Sequence, residues 1–443
     1  MKVCPYCGFN FRKLSRIKEV TMKKYYSLID KIYDKNNILK AFKLVKKNKG
    51  APGIDGETVE RFASALEDKI DEIHCELKEG IYEPSPVRRT YIDKEDGTKR
   101  PLGIPTVKDR VVQQAVRNII EPIFEPNFHP SSYGYRPNRS CQRAVAKAER
   151  FLNRWNLEYV VDMDLSKCFD TLNHELIIET VNERISDSKV LKIIRSFLES
   201  GTLEDGAFQE TPVGSPQGGV ISPLLMNIYL DRFDREMMEK GIRIVRYADD
   251  ILIFAKSKSE AGRYRAIATK ILQEELKLTV NERKTHIANV GEGVPYLGFI
   301  IKRNSISIHP KRIRRFKDKI RMLTPRNTGL NVETMVQRLN PVLRGWSNYF
   351  RIANCQTTFK NISSWVRRRL RMKKMKEWKS YKSLHKALRR NGYYGNFKKI
   401  SMASWRNSAS PLLSMALPNE WFDEIKLFDM SKVETKVLYH YYE

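Results

Sequence analysis

No apolar run in this 443-residue sequence approaches the roughly 18 residues that a membrane-spanning helix requires; the longest strings, such as Ile251-Leu252-Ile253-Phe254-Ala255, are of strand length. A membrane partner is therefore not expected. Cysteine is scarce, with six residues scattered along the chain, which argues against a disulfide scaffold and for a reducing compartment. The opening residues, Met1-Lys2-Val3-Cys4-Pro5, lack the apolar stretch of a secretory signal. Repeats at solenoid spacing and low-complexity tracts are missing too. Acids are in short supply: 52 Asp+Glu against 81 Lys+Arg leave a formal charge of +29. Hydrophobic residues still make up 41%, enough for real cores, so wholesale disorder is excluded. A chain this basic repels itself unless an acidic partner offsets the charge, and nucleic acid is the partner left standing.

The surplus is concentrated. From Lys302 to Ile400 there are 28 Lys+Arg and only three acids, Asp318, Glu333 and Glu377, so this stretch holds 25 of the 29 excess charges. Such a segment reads as a phosphate-gripping module whose binding weakens steeply with salt. Its texture is helical. In residues 311–323, Ile313, Phe316, Ile320 and Leu323 fall at helical spacing and nearly every other position is Lys or Arg. Residues 365–376 repeat the pattern, presenting Arg367, Arg368, Arg369 and Arg371, as Arg314 and Arg315 do earlier. Interleaved aromatics, among them Trp346, Tyr349, Phe350, Trp365, Trp378, Tyr381, Tyr393 and Tyr394, are candidates for base stacking, or for anchoring a core.

Towards the N-terminus, Cys4-Pro5-Tyr6-Cys7 forms a possible knuckle. A structural zinc site needs four ligands and the other cysteines stand alone, so this motif by itself does not specify a metal. Residues 36–47 and 57–80 read as helices around a turn-rich loop, Lys47 to Gly56, with three glycines and a proline. A hairpin follows, with Val87 to Ile92 and Lys99 to Ile104 as strands about the reversal signal Asp96-Gly97. Residues 109–124 are an amphipathic helix with Val111, Val112, Ala115, Val116, Ile119, Ile120 and Ile123 on one face.

Chemistry is carried by an acidic constellation. Tyr159-Val160-Val161-Asp162-Met163-Asp164-Leu165 is a strand-like run interrupted by carboxylates, which is costly unless something cationic neutralises them. In Arg243 to Phe254, two strand-like runs meet at Asp249-Asp250. If both elements share a sheet, Asp164, Asp249 and Asp250 converge. Clustered carboxylates raise one another's pKa unless a divalent cation offsets them. Mg²⁺ takes hard oxygen ligands and keeps positions open for phosphates, and two such ions stabilise the attacking and leaving oxygens of a phosphoryl transfer.

Tyr247-Ala248-Asp249-Asp250 resembles the signature of reverse transcriptases. Six further runs sharpen the match to the proteins encoded by bacterial group II introns: Lys49 to Gly56, Leu102 to Arg110, Tyr133 to Arg139, Val161 to Asp170, Ser215-Pro216-Gln217-Gly218-Gly219 and Tyr296-Leu297-Gly298-Phe299. Arg344-Gly345-Trp346 with Asn348-Tyr349-Phe350, then Trp365 to Arg371, resemble the maturase region. The resemblance covers residues 36 to 410 with the motifs in the family's order, which is far more specific than any one of them.

The resemblance implies an α+β fold: a right-hand polymerase with fingers and palm on antiparallel sheet, then an α-helical thumb. It divides the chain into a leader (1–35), N-terminal extension and fingers (36–160), palm (161–300), thumb or maturase domain (301–380) and a C-terminal DNA-binding region (381–443). It implies an RNA-directed DNA polymerase that copies intron RNA and binds that RNA to assist splicing and retromobility, in a bacterial cytoplasm, as a monomer or homodimer. The implied partners are group II intron RNA, an RNA template with a DNA primer, target DNA and deoxynucleoside triphosphates. Two Mg²⁺ ions fall to Asp164, Asp249 and Asp250, with the Leu165 carbonyl assisting; Asp162 is structural or supports them. Lys94 and Arg100 grip the triphosphate, Phe169 lies under the sugar as a steric gate against a 2′-hydroxyl, and Gln217 lines the nucleotide pocket. Lys284 is placed to protonate departing pyrophosphate. Lys47, Lys49, Gly50 and Gly53 form a lid over the template, and Arg136, Arg139, Arg314, Arg315, Arg367, Arg368, Arg369 and Arg371 hold RNA.

The sequence also departs from the family. Cys168 replaces an aromatic beside the gate, which is expected to loosen packing; Ser215 stands where threonine is common. A His/Asn/Cys-rich endonuclease is not found in residues 401–443, as in the endonuclease-lacking lineage, which primes on an existing DNA 3′ end. Two alternatives keep the same residues: a splicing factor whose polymerase site is a relic, which the intact acidic cluster argues against, and a domesticated reverse transcriptase serving its host.

Overall fold

The computed structural model describes residues 23–442 apart from residues 94–96, 98, 205–206, 212 and 216–217. Lys94, Gln217, Cys4 and Cys7 lie outside the described residues. The fold is α+β. Two compact units account for it: residues up to Ser140 with Val161–Ile287, and Cys141–Val160 with Ala288–Glu443.

In the first unit several helices start where a side chain supplies a cap. Asp34 accepts from Asn36 N and Asn37 N and opens the helix Lys35–Asn48. Thr106 caps the helix Val107–Phe124, accepting from Asp109 N at 3.1 Å while its hydroxyl donates to the Asp109 carboxylate at 2.7 Å. The first of these bonds satisfies a backbone N–H that a helix end would otherwise strand, a cap worth about 1 kcal/mol, and the second fixes the two side chains against each other. The expected 57–80 helix is two, Val59–Ser64 and Leu66–Glu79, because Ala65 leaves helical geometry at φ −118°, ψ 36°. Val111, Val112, Ala115, Val116 and Ile120 are buried as the spacing predicts.

The hairpin forms as expected: β1 (Val87–Asp93) pairs antiparallel with β2 (Lys99–Ile104), Arg100 opposite Ile92. The sheet around it is mixed rather than wholly antiparallel, since β1 also pairs in parallel with β4 (Thr202–Glu204), which pairs antiparallel with β5 (Ala207–Gln209). The second sheet has the order β6 (Arg243–Tyr247), β7 (Asp250–Ala255), β3 (Tyr159–Met163), β8 (His286–Asn289). The acidic strand thus lies beside the acidic hairpin. The helix Ser222–Glu239 is buried almost all round, and four of its buried residues are polar, Ser222, Asn227, Asp231 and Asp234.

The second unit is mainly helical, built from Pro310–Leu323, Val332–Phe350, Gln356–Trp378 and Tyr381–Arg390 around a three-stranded sheet of β9 (Val294–Tyr296), β10 (Phe299–Lys302) and β11 (Ser305–Ile308). The helix Cys141–Arg154 belongs here and not with the fingers, against the division expected from sequence. Its contacts explain why: Gln142 donates to Tyr349 O at 3.2 Å, Asn153 accepts from Asn304 N at 3.2 Å, and Glu149 accepts from the Tyr442 hydroxyl at 2.8 Å. Among the described residues no helix is long and apolar enough to cross a membrane.

Candidate active site

Strands β6 and β7 pair with Tyr247 opposite Asp250, leaving Ala248-Asp249 as a two-residue turn. Ala248 sits at φ +59°, a left-handed conformation that non-glycine residues avoid unless their surroundings impose it. The surroundings do so. A Cβ built on Gly134 would lie 2.2 Å from Ala248 N, so the chain passes under the turn at a distance only glycine permits. The Gly134 carbonyl accepts from Asn227 Nδ2 at 2.8 Å.

Beneath the same turn lies Arg246, with its side chain wholly buried. Its guanidinium donates to both Asp234 oxygens, to Asn227 Oδ1 at 3.0 Å, to the Ser132 hydroxyl at 2.8 Å and to the Ala248 carbonyl at 3.0 Å. A buried charge is tolerable only when paired and fully bonded, as here. Sequence reasoning missed this residue. The available signal was an arginine in an otherwise apolar strand run.

On the next strand, Asp164 follows β3. Its carboxylate accepts from Asn281 Nδ2 at 3.0 Å and lies 3.6 Å from Lys284 Nζ. Leu165 pairs with Val280 as a bridge whose hydrogen bonds come from the flanking residues, Asn281 N to Asp164 O and Ser166 N to Thr279 O, both 2.8 Å. That pattern turns the Leu165 carbonyl away from this ladder.

The carboxylates feel one another. Burial, then Asp249, Asp162 and Asp164, push Asp250 up to about 7, with Lys284 pulling back; the residue keeps a solvent-exposed edge despite the protein crowded around it. Asp162 rises to about 6, mainly through burial, with Asp164 adding to it and His286 opposing. Asp249 is also raised, by burial first and by Asp164, while Arg100 opposes. Asp162 is therefore a fourth participant in the field. The donors are hard oxygens short of positive charge, which fits a divalent cation in chemistry. They are not drawn to one point: among the described residues no three His, Cys, Asp or Glu side chains form a ready cation site.

Phe169, in a short turn of helix Cys168–Thr171, is buried, and the edge-on ring of Tyr135 lies 6.5 Å away at 77°. Burial raises the Tyr135 hydroxyl pKa, Asp249 and Asp250 adding to the rise and Arg100 countering it. Tyr135 is thus within electrostatic reach of both the Ala248-Asp249 turn and the β1–β2 hairpin. Neighbouring Cys168 is buried, its thiol pushed up to about 12 chiefly by burial, so no exposed gap stands in place of the aromatic. The Ser215 hydroxyl donates to that of Ser222 at 2.7 Å.

Several residues expected to hold RNA are spent inside the chain. Arg136 is buried, bonded to both Glu125 oxygens and to the carbonyls of His129, Ser132 and Glu125, with Phe128 beneath it; this corrects its assignment to the template. Gly53 serves close packing, since a Cβ there would lie 2.6 Å from Thr106 Cα, and Gly50 lies against the Arg110 guanidinium, which bonds Ala51 O at 2.9 Å. Arg139 packs over Tyr133, and Lys47 and Lys49 are exposed.

Within the second unit the run on Gln356–Trp378 also turns to protein. Arg367 pairs with Asp429, Arg368 bonds Ser408 Oγ over the Trp405 ring, Arg369 donates to Thr324, and Arg371 donates to Leu417 O over Phe422. Their assignment as an open RNA face is corrected accordingly. Arg314 and Arg315 are exposed. Of the aromatics, Trp346 stacks on Phe316 at 4.1 Å and Tyr349 on Phe299 at 5.6 Å, which makes them core anchors.

Family comparison agrees with this geometry. Residues 92–301 match the reverse transcriptase (RNA-dependent DNA polymerase) family and residues 313–394 the group II intron maturase-specific domain. Protein YkfC of Escherichia coli (strain K12) is 34% identical over 304 residues, covering 59% of this chain and 79% of its own. The group II intron-encoded protein LtrA of Lactococcus lactis subsp. cremoris is 34% identical over 331 residues, 59% of this chain and 54% of its own. A putative COX1/OXI3 intron 2 protein of Saccharomyces cerevisiae is 26% identical over 398 residues, 75% of this chain and 46% of its own. The chain thus spans about half the length of the latter two. It belongs to the reverse transcriptase family whose members carry a group II intron maturase-specific domain.

Proposed function

We propose that this protein is an RNA-directed DNA polymerase of a group II intron that also binds the intron RNA to assist splicing. The observation that carries the reading is the mutual field of Asp164, Asp249 and Asp250, which lie at the ends of neighbouring strands of one sheet and lack enough positive charge. Mg²⁺ held by these three carboxylates and the Leu165 carbonyl would supply the charge that lowers the primer 3′-hydroxyl's pKa and steadies the phosphates. The chain's own residues do the rest. Arg100 holds the triphosphate electrostatically, with Lys94 and Gln217 as further nucleotide ligands. Phe169 lies under the sugar. Lys284, at 3.6 Å from Asp164, is positioned to donate a proton to departing pyrophosphate. Lys47, Lys49, Arg139, Arg314 and Arg315 contact template or intron RNA. The matched maturase-specific domain supports the splicing role.

The test is extension of a DNA primer on an RNA template with MgCl₂, beside splicing of the cognate intron. Wild type should extend, and Asp249→Asn should not while still supporting splicing. An inactive wild type, or an active Asp249→Asn, overturns the polymerase reading.

A further inference from the structure

We infer that Tyr135 forms a second wall of the nucleotide site and sets, together with Phe169, the choice between deoxyribose and ribose. The inference rests on the polymerase reading above and adds a residue to it. Tyr135 is placed by its neighbours. Arg246 N donates to Ser131 O at 2.9 Å and Tyr133 N to Arg246 O at 2.8 Å, so residues 131–133 run as an added edge along β6. Gly134 then passes under the Ala248 turn. Tyr133 and Arg136 are both anchored inward, at 1% and 8% exposure, whereas Tyr135 between them is 48% exposed.

Its backbone lies at φ +58°, a conformation that a bulky aromatic adopts only when the surroundings hold it there. A residue with only a packing role would bury its ring and relax its backbone. Tyr135 does neither. It aims outward, edge-on to Phe169, and its hydroxyl feels the charges of Asp249 and Arg100. A phenol there faces a ligand that brings an anionic triphosphate towards the hairpin and a sugar onto Phe169. The ring fixes the tilt of Phe169, and so the space at the sugar 2′ position. The hydroxyl offers a hydrogen bond to the nucleotide itself.

The experiment uses the full chain in single-nucleotide addition on an RNA template, comparing deoxy- and ribonucleoside triphosphates, with thermal melting of each variant alongside. Tyr135→Ala should raise ribonucleotide incorporation relative to deoxynucleotide by about tenfold or more, the scale on which one contact discriminates substrates. Tyr135→Phe keeps the ring, so ribose discrimination should stay near wild type while KM for deoxynucleotide rises severalfold at little-changed kcat. Variants that match wild type in both readouts overturn the inference, as does a loss that merely follows a fall in melting temperature. Should Tyr135→Ala melt early, the KM of Tyr135→Phe decides. A wild type that fails to extend any primer defeats the polymerase reading instead, and this inference with it.

Discussion

The hairpin at Ala248-Asp249 and the arginine run at 367–371 both crowd charge of one sign, and they dispose of it in opposite ways. Under the hairpin a single cation, Arg246, is completely bonded to protein, while the carboxylates above it are left lifting one another. On the helix Gln356–Trp378 the arginines are met by Asp429, by hydroxyls and carbonyls and by the faces of Trp405 and Phe422. One region leaves its charge unbalanced and the other uses it to fasten its own C-terminal segments. Charge density along a sequence therefore does not identify a binding face; what the fold leaves unmatched does.

The sharpest way to break the contrast is Asp249→Asn. If that carboxylate holds metal, primer extension should drop on the order of a thousandfold, equivalent to several kcal/mol of lost electrostatic stabilisation. Next in size is the pair beneath. Arg246→Met leaves Asp234 buried and alone, which should cost about 3–5 kcal/mol and, by calorimetry, on the order of 10 °C in Tm. The double variant Arg246→Met/Asp234→Leu should recover much of that stability without recovering polymerisation, because the Ala248 carbonyl has still lost its donor. Full activity in the double variant would show that the guanidinium only fills space.

A third test uses pH. Asp250 and Asp162 titrate near 7 and 6 in the folded protein, above the ordinary carboxylate range, so the metal-free fold binds protons that the unfolded chain releases. Stability contributed there is complete below the unfolded pKa of about 4 and is lost as pH rises towards 7. Thermal melts without divalent ions should decline across that window, MgCl₂ should raise Tm more at pH 8 than at pH 5.5, and Asp250→Asn should flatten much of the slope. The smallest effect separates the arginines. Arg314→Gln should lower the salt dependence of RNA binding by about one phosphate contact with Tm unchanged. Arg369→Gln should do the reverse, leaving the slope and lowering Tm by a few degrees.

Much of the fold could be read from period and punctuation. The 109–124 spacing, the hairpin around residues 92–99 and the two acidic strands announce themselves because alternation and turn chemistry are local. The acidic runs stood out for the same reason: carboxylates in apolar strands violate a local rule, and the structure sets those strands side by side. Side-chain direction was not readable. Arg136 and Arg139 are three residues apart in one motif, yet one is buried on Glu125 and the other packs over Tyr133. Arg246 was hidden because its partners, Ser132, Asn227 and Asp234, are gathered only by tertiary structure.

That gathering bears on how the enzyme comes into being on the ribosome. The Ala248 carbonyl accepts from Arg246, whose guanidinium is in turn held by acceptors at positions 132, 227 and 234. A nascent chain halted before Arg246 has no means of shaping the turn, and one that has emerged fully gains it only when all these segments close together. The shape of the turn therefore depends on segments more than a hundred residues apart being present together.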